Sequence, residues 1–324
     1  MYTFPKPLIM TLLIFLVAGC TKKEEKFWEL AVVGNYTSAL SHNGKLAMIG
    51  SINHGGSLWQ FPAYERRFNW NHQKGVFSFI VAAAFSGNNE LAVTADNLQS
   101  LVLWSTVTGE SQAFWRAPGD ISSIALSNGG NIALLGLLDN RAILFNIKNG
   151  GVERTYLHAD RVNAVAISAD NMMVLSGSDD YTAKLWDTTT GKLLHSWDMG
   201  NKVVSVSLSA NHRFAFIAAA NSIAQVRDTK TGGLVYDVNP HAEWMGRGPT
   251  LTSAIFSDNE QLLLTGTTNR EIKLHDLKQQ KVIKHWQVSR RQAWKPTGVA
   301  IQALAFGQDQ FYAIGSNGRM YTLR

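Results

Sequence analysis

Three residues in one short stretch have the types needed for nucleophilic hydrolysis. Ser176 offers a hydroxyl, His158 an imidazole that could take its proton, and Asp180 a carboxylate that could orient the imidazole. Elsewhere the chemical signals are thin. The nine histidines are scattered, with no pair at i, i+4 beside a third ligand, so no metal site is expected. Gly55-Gly56, Gly129-Gly130, Gly150-Gly151 and Gly232-Gly233 lack a phosphate-loop pattern and read as turns. The paired acids Glu24-Glu25 and Asp179-Asp180 fall in a polar N-terminal segment and a turn. Cys20 is the only cysteine, which excludes a disulfide within the chain. No cofactor is expected.

The elements that must position His158, Ser176 and Asp180 decide what those residues do. From His158 to Trp197 the apolar residues alternate at Val162, Ala164 and Ala166, run together from Met172 to Leu175, and alternate again at Ala183 and Leu185. Turn signals at Ala169-Asp170-Asn171, Asp179-Asp180-Tyr181 and Thr189-Thr190-Gly191 separate these runs, so the stretch reads as four antiparallel strands. Four strands cannot close a core alone, which predicts further copies. The small residue ending the first run recurs as Ser41, Ser86, Ser127, Ser168, Ser209, Ser257 and Gly307. Eighteen residues beyond the first six stand Trp59, Trp104, Phe145, Trp186, Arg227 and His275. Eleven further on stand Trp70, Trp115, Tyr156, Trp197, Val238 and Trp286. The seventh unit aligns at Thr322 after a deletion. The spacing predicts seven copies of one unit.

The fourth copy, with its terminal Trp186-Asp187, resembles the WD-repeat β-propeller family. That resemblance implies an all-β, seven-bladed propeller of four-stranded antiparallel blades. It also implies a structural tetrad joining a loop histidine, a strand hydroxyl, a turn aspartate and a tryptophan. Carried over by position these are His158, Ser176, Asp180 and Trp186, all four in this blade only. A buried imidazole can bridge carboxylate and hydroxyl while the hydroxyl reaches the indole N–H. The triad reading therefore yields to a structural one, and no catalytic residue is expected. In other copies the set decays: Asp139 stands with Phe145, Asn53, Asn221 and Asn269 take the aspartate position, and Arg227, His275 and Thr322 replace the tryptophan.

The seventh unit ends at Arg324 after its third strand, Arg319 to Leu323, while strand-like Phe27 to Val33 precedes the first unit without a partner. The expectation is a propeller over 27–324, its ring closed by that N-terminal strand with no exposed edge left over. Residues 1–19 read as a signal peptide: Lys6 is followed by the apolar Leu8 to Leu16, too short to span a bilayer comfortably. Val17-Ala18-Gly19-Cys20 resembles the lipobox of bacterial lipoproteins, which implies lipidation of Cys20. Thr21 in place of aspartate then implies the outer membrane of a Gram-negative cell, facing the periplasm. Residues 20–26 would form a short tether, so the body would sit close to the lipid.

At 324 residues and 45% hydrophobic content, with 7 prolines, the chain can bury a sizeable core as one all-β ring. Its net charge of +6 suits anionic lipid or acidic partners. No basic helix or aromatic nucleic-acid motif is present, so nucleic acid is not an expected partner. The connections between copies vary in length. The two longest, 239–252 and 287–299, hold Trp244, Met245, Arg247, Arg290, Arg291, Trp294 and Lys295. Loops on a rigid scaffold commonly carry binding residues, and Trp and Arg are enriched at interface hot spots. Trp244, Arg247, Arg290, Arg291 and Trp294 are the candidate partner-binding residues of a non-catalytic interaction platform in the cell envelope. An envelope assembly factor or quinoprotein-like propeller is the alternative, although the aromatic six residues after Gly191 follows the WD spacing. A propeller hydrolase would need carboxylates or histidines converging on the central channel.

Overall fold

A computed structural model describes residues 22–239, 248–292 and 298–324. Cys20 and the signal segment lie outside the described residues, as do Trp244, Met245, Arg247, Trp294 and Lys295.

The described residues form seven four-stranded antiparallel sheets, each following chain order from inner to outer strand except the last. The inner strands are Asn35–Leu40, Ile80–Phe85, Ile121–Leu126, Val162–Ile167, Val203–Leu208, Leu251–Phe256 and Ile301–Phe306. Each packs beside the inner strands of its neighbours around a central channel. The fourth blade, for example, continues through Met173–Ser178 and Thr182–Asp187 to the outer Leu193–Asp198. Strands alternate in direction. Loops joining second to third strands therefore share one face of the disc with the connections between blades, and the other two hairpin sets share the opposite face.

The recurring serine fastens a turn. Its hydroxyl accepts the backbone N–H five residues on, at 2.8 Å for Ser41 and Leu46 and 2.9 Å for Ser168 and Met173. It thereby holds the tight hairpin between inner and second strands. Every inner strand also shifts register against its second strand at the same point, Val162/Ala164 in the fourth blade and Ile301/Ala303 in the seventh. Such a bulge strengthens the local twist that fans the blades around the ring. The core lies between blades. The second strands are its densest part, with Leu134, Leu135, Val174, Leu175, Phe216 and Ile217 fully buried. Gly177 in such a strand faces the next blade, where a Cβ would collide with Cγ1 of Val203.

The seventh blade closes as expected, with one difference of extent. Its order is Lys26–Glu29, Arg319–Leu323, Phe311–Gly315, Ile301–Phe306, the first and last strands of the chain being paired. Lys26 stands opposite Thr322 and Glu29 opposite Arg319. The closing strand is thus Lys26–Glu29, shorter than the expected 27–33. Leu30 and Ala31 leave the ladder by donating their N–H groups to the Gly318 carbonyl, at 2.8 and 3.1 Å, and turn the chain into the first blade. The segment before it is docked from Lys22 onward. The Lys22 N–H reaches the His285 carbonyl at 3.0 Å, and its own carbonyl accepts from Gln287 at 3.0 Å. The expected tether thereby straps the outer edge of the sixth blade before completing the seventh.

Candidate functional site

In the fourth blade the geometry assembles His158, Ser176, Asp180 and Trp186. The indole N–H of Trp186 donates to the Ser176 hydroxyl at 3.0 Å, and that hydroxyl lies 2.8 Å from Nε2 of His158. Nδ1 of His158 is 3.0 Å from Asp180, whose carboxylate also accepts the N–H groups of Ala159 and Thr182, both at 2.9 Å. Burial depresses the His158 pKa against the opposing pull of Asp180, so the ring is neutral. The donors then run in one direction: indole to hydroxyl, hydroxyl to Nε2, Nδ1–H to carboxylate. Burial pushes the Asp180 pKa up, but hydrogen bonds from Thr182 and Ala159 outweigh it and hold the carboxyl well below its usual range. This donor order is also that of a hydrolytic triad. Access separates the two. Ser176 is fully buried, and its hydroxyl already accepts the Trp186 indole N–H.

A second complete set stands in the second blade, so the expectation that only one blade has all four is corrected. His72 lies 2.9 Å from Asp96 and 2.8 Å from Thr94, and the Trp104 indole donates to Thr94 at 2.8 Å. Burial lowers the His72 pKa here too, opposed by Asp96. Positional matching passes over this set because Asp96 sits two residues before the usual turn position and His72 arrives on a longer connection. A His near an Asp and a Thr across that loop is the signal that would find it. In the sixth blade His275 takes the tryptophan position and bridges Tyr236 at 3.1 Å and Thr265 at 3.0 Å. Burial pushes its pKa down to about 3. The third blade has Leu135 and Phe145 in place of the hydroxyl and the indole, and its Asp139 pairs with Arg141 instead.

The channel has a different chemistry. Its inner strands carry no Asp, Glu, Lys, Arg or His, and one mouth is narrowed by Leu40, Phe85, Leu126, Ile167, Leu208 and Phe256. At the other mouth the buried Asp179 carboxylate meets Arg161 at 2.5 Å, Asn163 at 2.7 Å and Lys202 at 2.8 Å. Burial raises the Asp179 pKa, and the bonds from Lys202, Asn163 and Arg161 more than reverse that. Among the described residues no group of three His, Cys, Asp or Glu side chains is placed to hold a metal ion. No helix among them is long and apolar enough to cross a membrane.

Of the candidate partner residues, Arg290 and Arg291 are described. Arg291 donates to the Ala31 carbonyl at 3.2 Å and lies 3.5 Å from Glu29, and the Arg290 carbonyl accepts from Arg319 at 3.1 Å. Arg291 therefore spends its guanidinium on the closing strand and the turn after it, while Arg290 meets the neighbouring strand Arg319–Leu323 through its backbone. The same face presents a feature spread over several segments. Val32 and Val33 before the first blade, Ile52, Leu98, Leu138 and Tyr181 in second-to-third-strand turns, and Val76, Phe77 and Phe79 in the connection after Trp70 are all exposed. Tyr36 and Phe79 join two blades with ring centroids 3.8 Å apart. Together they make an apolar arc on the face that also carries the long connections.

Residues 151–187 match the profile of the family described as WD domain, G-beta repeat. The match begins at the outer strand of the third blade and ends at the third strand of the fourth, the same offset that leaves the last blade to be completed from the N-terminus. No curated protein matches the chain significantly. The chain is a closed seven-bladed β-propeller that carries a WD40-like repeat.

Proposed function

We propose that this propeller is a non-catalytic interaction platform of the bacterial cell envelope, anchored through lipid on Cys20 and facing the periplasm from the outer membrane. It takes a protein partner on the face bearing the connections between blades and does not bind nucleic acid. The observation that carries this reading is the exposed apolar arc from Val33 through Phe77 to Leu98, on a rigid ring. Contiguous exposed apolar surface rimmed by polar groups marks docking sites. The described ends of the long connections 239–252 and 287–299 lie on the same face. The uncharged channel strands and the sealed serine support the non-catalytic part of the reading.

Crosslinking in intact cells, followed by mass spectrometry, tests the reading. Phe77→Ala/Leu98→Asp and Trp294→Ala should each remove the same crosslinked protein while leaving the melting temperature unchanged. Lys148→Ala/Lys192→Ala, in hairpins of the opposite face, should keep it. Loss with the hairpin variant as well, or retention with all three, overturns the assignment of this face.

A further inference from the structure

The strap that precedes the closing strand places the start of the described chain on the rim of the disc. Lys22 is bonded to the outer strand of the sixth blade, Lys281–Gln287, through His285 and Gln287. Glu24 accepts the Ser289 N–H at 3.2 Å, and Glu25 is paired with Arg324 at 3.1 Å, so both acids are engaged. Lys22, Lys23 and Lys26 are exposed on the strap and closing strand, and Lys281 is exposed beside them on the sixth blade. Lys284 lies over the Trp286 ring at 5.9 Å. Within this cluster Phe27, Val282 and Ile283 are exposed. Other outer strands show apolar side chains too, such as Phe114, Val152 and Leu234, but none is framed by lysines in this way.

We infer that this rim, over the sixth and seventh blades, is a contact surface for an anionic lipid bilayer, and that the disc stands on edge. The inference rests on the lipid-anchor reading for its geometry. Two peptide units separate Lys22 from Cys20, a reach of about 7 Å. A lipid on Cys20 would therefore bring this rim, and neither face, against the headgroups, leaving no room for a protein between them. Clustered lysines within a Debye length of an anionic surface each add to binding, and the three apolar side chains can enter the headgroup layer. Standing on edge leaves both faces, including the apolar arc, open to the aqueous side. The propeller would present its docking face sideways along the membrane.

The test uses a chain starting at Thr21, which carries every strand of the ring and no cysteine, and vesicles with or without phosphatidylglycerol. Sedimentation should show binding to the phosphatidylglycerol vesicles only, and added salt should reverse it. Lys23→Glu/Lys281→Glu/Lys284→Glu should weaken partition by about tenfold or more. Lys148→Glu/Lys192→Glu/Lys230→Glu changes net charge equally on distant hairpins and should have a much smaller effect. A fluorophore on Ile283→Cys should be quenched by a lipid-borne quencher, and one on Val152→Cys should not. Equal losses with both charge variants would mean attraction by net charge alone and would overturn the rim. Absence of binding by the unacylated chain would overturn it too. Whether Cys20 is acylated is decided separately, by mass spectrometry of the full-length protein from cells.

Discussion

The hydroxyl of Ser176 lies 2.8 Å from Nε2 of His158 while accepting the indole N–H of Trp186 at 3.0 Å. Those two contacts turn a set of side chains with hydrolytic potential into a clamp between strands. Leaving buried partners unsatisfied costs about 1–3 kcal/mol, so Asp180→Ala and Asp96→Ala should each lower stability by about that much in urea titrations. Asp139→Ala removes a more exposed pair with Arg141 and should cost under about 1 kcal/mol. Equal losses at all three positions would refute the distinction between clamped and unclamped blades.

Acid should act through the buried histidines. In the unfolded chain a histidine takes up its proton near pH 6.5, whereas His275 in the ring does so only near pH 3. Between those values the unfolded state binds more protons, so stability is complete above pH 6.5 and falls as the pH drops. His72 and His158 shift in the same direction. The slope contributed by His275 approaches about 1.4 kcal/mol per pH unit below 6.5. Stability measured from pH 7 to 4 should flatten in His275→Gln, while Asp180, whose pKa is depressed, contributes its loss only below about pH 4.

Closure by Lys26–Glu29 predicts that a chain starting at Gly34 melts lower than one starting at Thr21, by about 10 °C or more. It should also aggregate, because the edge of Arg319–Leu323 is left unpaired. Arg319→Ala is a milder version. It removes the 2.7 Å contact with Glu29, the hydrogen bond that chiefly lowers the Glu29 pKa, and the cation over Phe27 at 4.2 Å. Identical melting of the two truncated chains would exclude the strand as the ring's fastening.

Gly177→Ala forces a methyl into Val203 of the next blade and should cost about 1–3 kcal/mol. Val203→Ala, destabilising alone, should recover part of that loss when combined with it. A double-mutant cycle without coupling would place the strain elsewhere.

The ring itself is readable from two spacings because each marks a physical role. The serine holds a hairpin, and the aromatic at the third strand fills the space between blades. The closing strand is readable from a shortage, one strand missing at one end and one spare at the other. Its length is not, since Gly318 ends the ladder through a contact distant in sequence. The His72 set is hidden by an aspartate moved two residues, which alters spacing but not the position its carboxylate reaches. Arg291 resembles an available cation until Ala31 and Glu29 are seen beside it. The apolar arc has no linear signature at all: Val33, Ile52, Phe77 and Leu98 become neighbours only when four connections are gathered at the same ends of their strands.

The seam between Lys26–Glu29 and Arg319–Leu323 joins the earliest strand of the ring to the latest. At about 5–20 residues per second, the first strand waits for about 15–60 s of synthesis before its partner exists. During that interval the backbone of Lys26–Glu29 has no ladder to join, and six blades' worth of chain can form without a circle. Completion is then a single event at the end of the process, and a polypeptide stopped short of residue 319 has no means of reaching it.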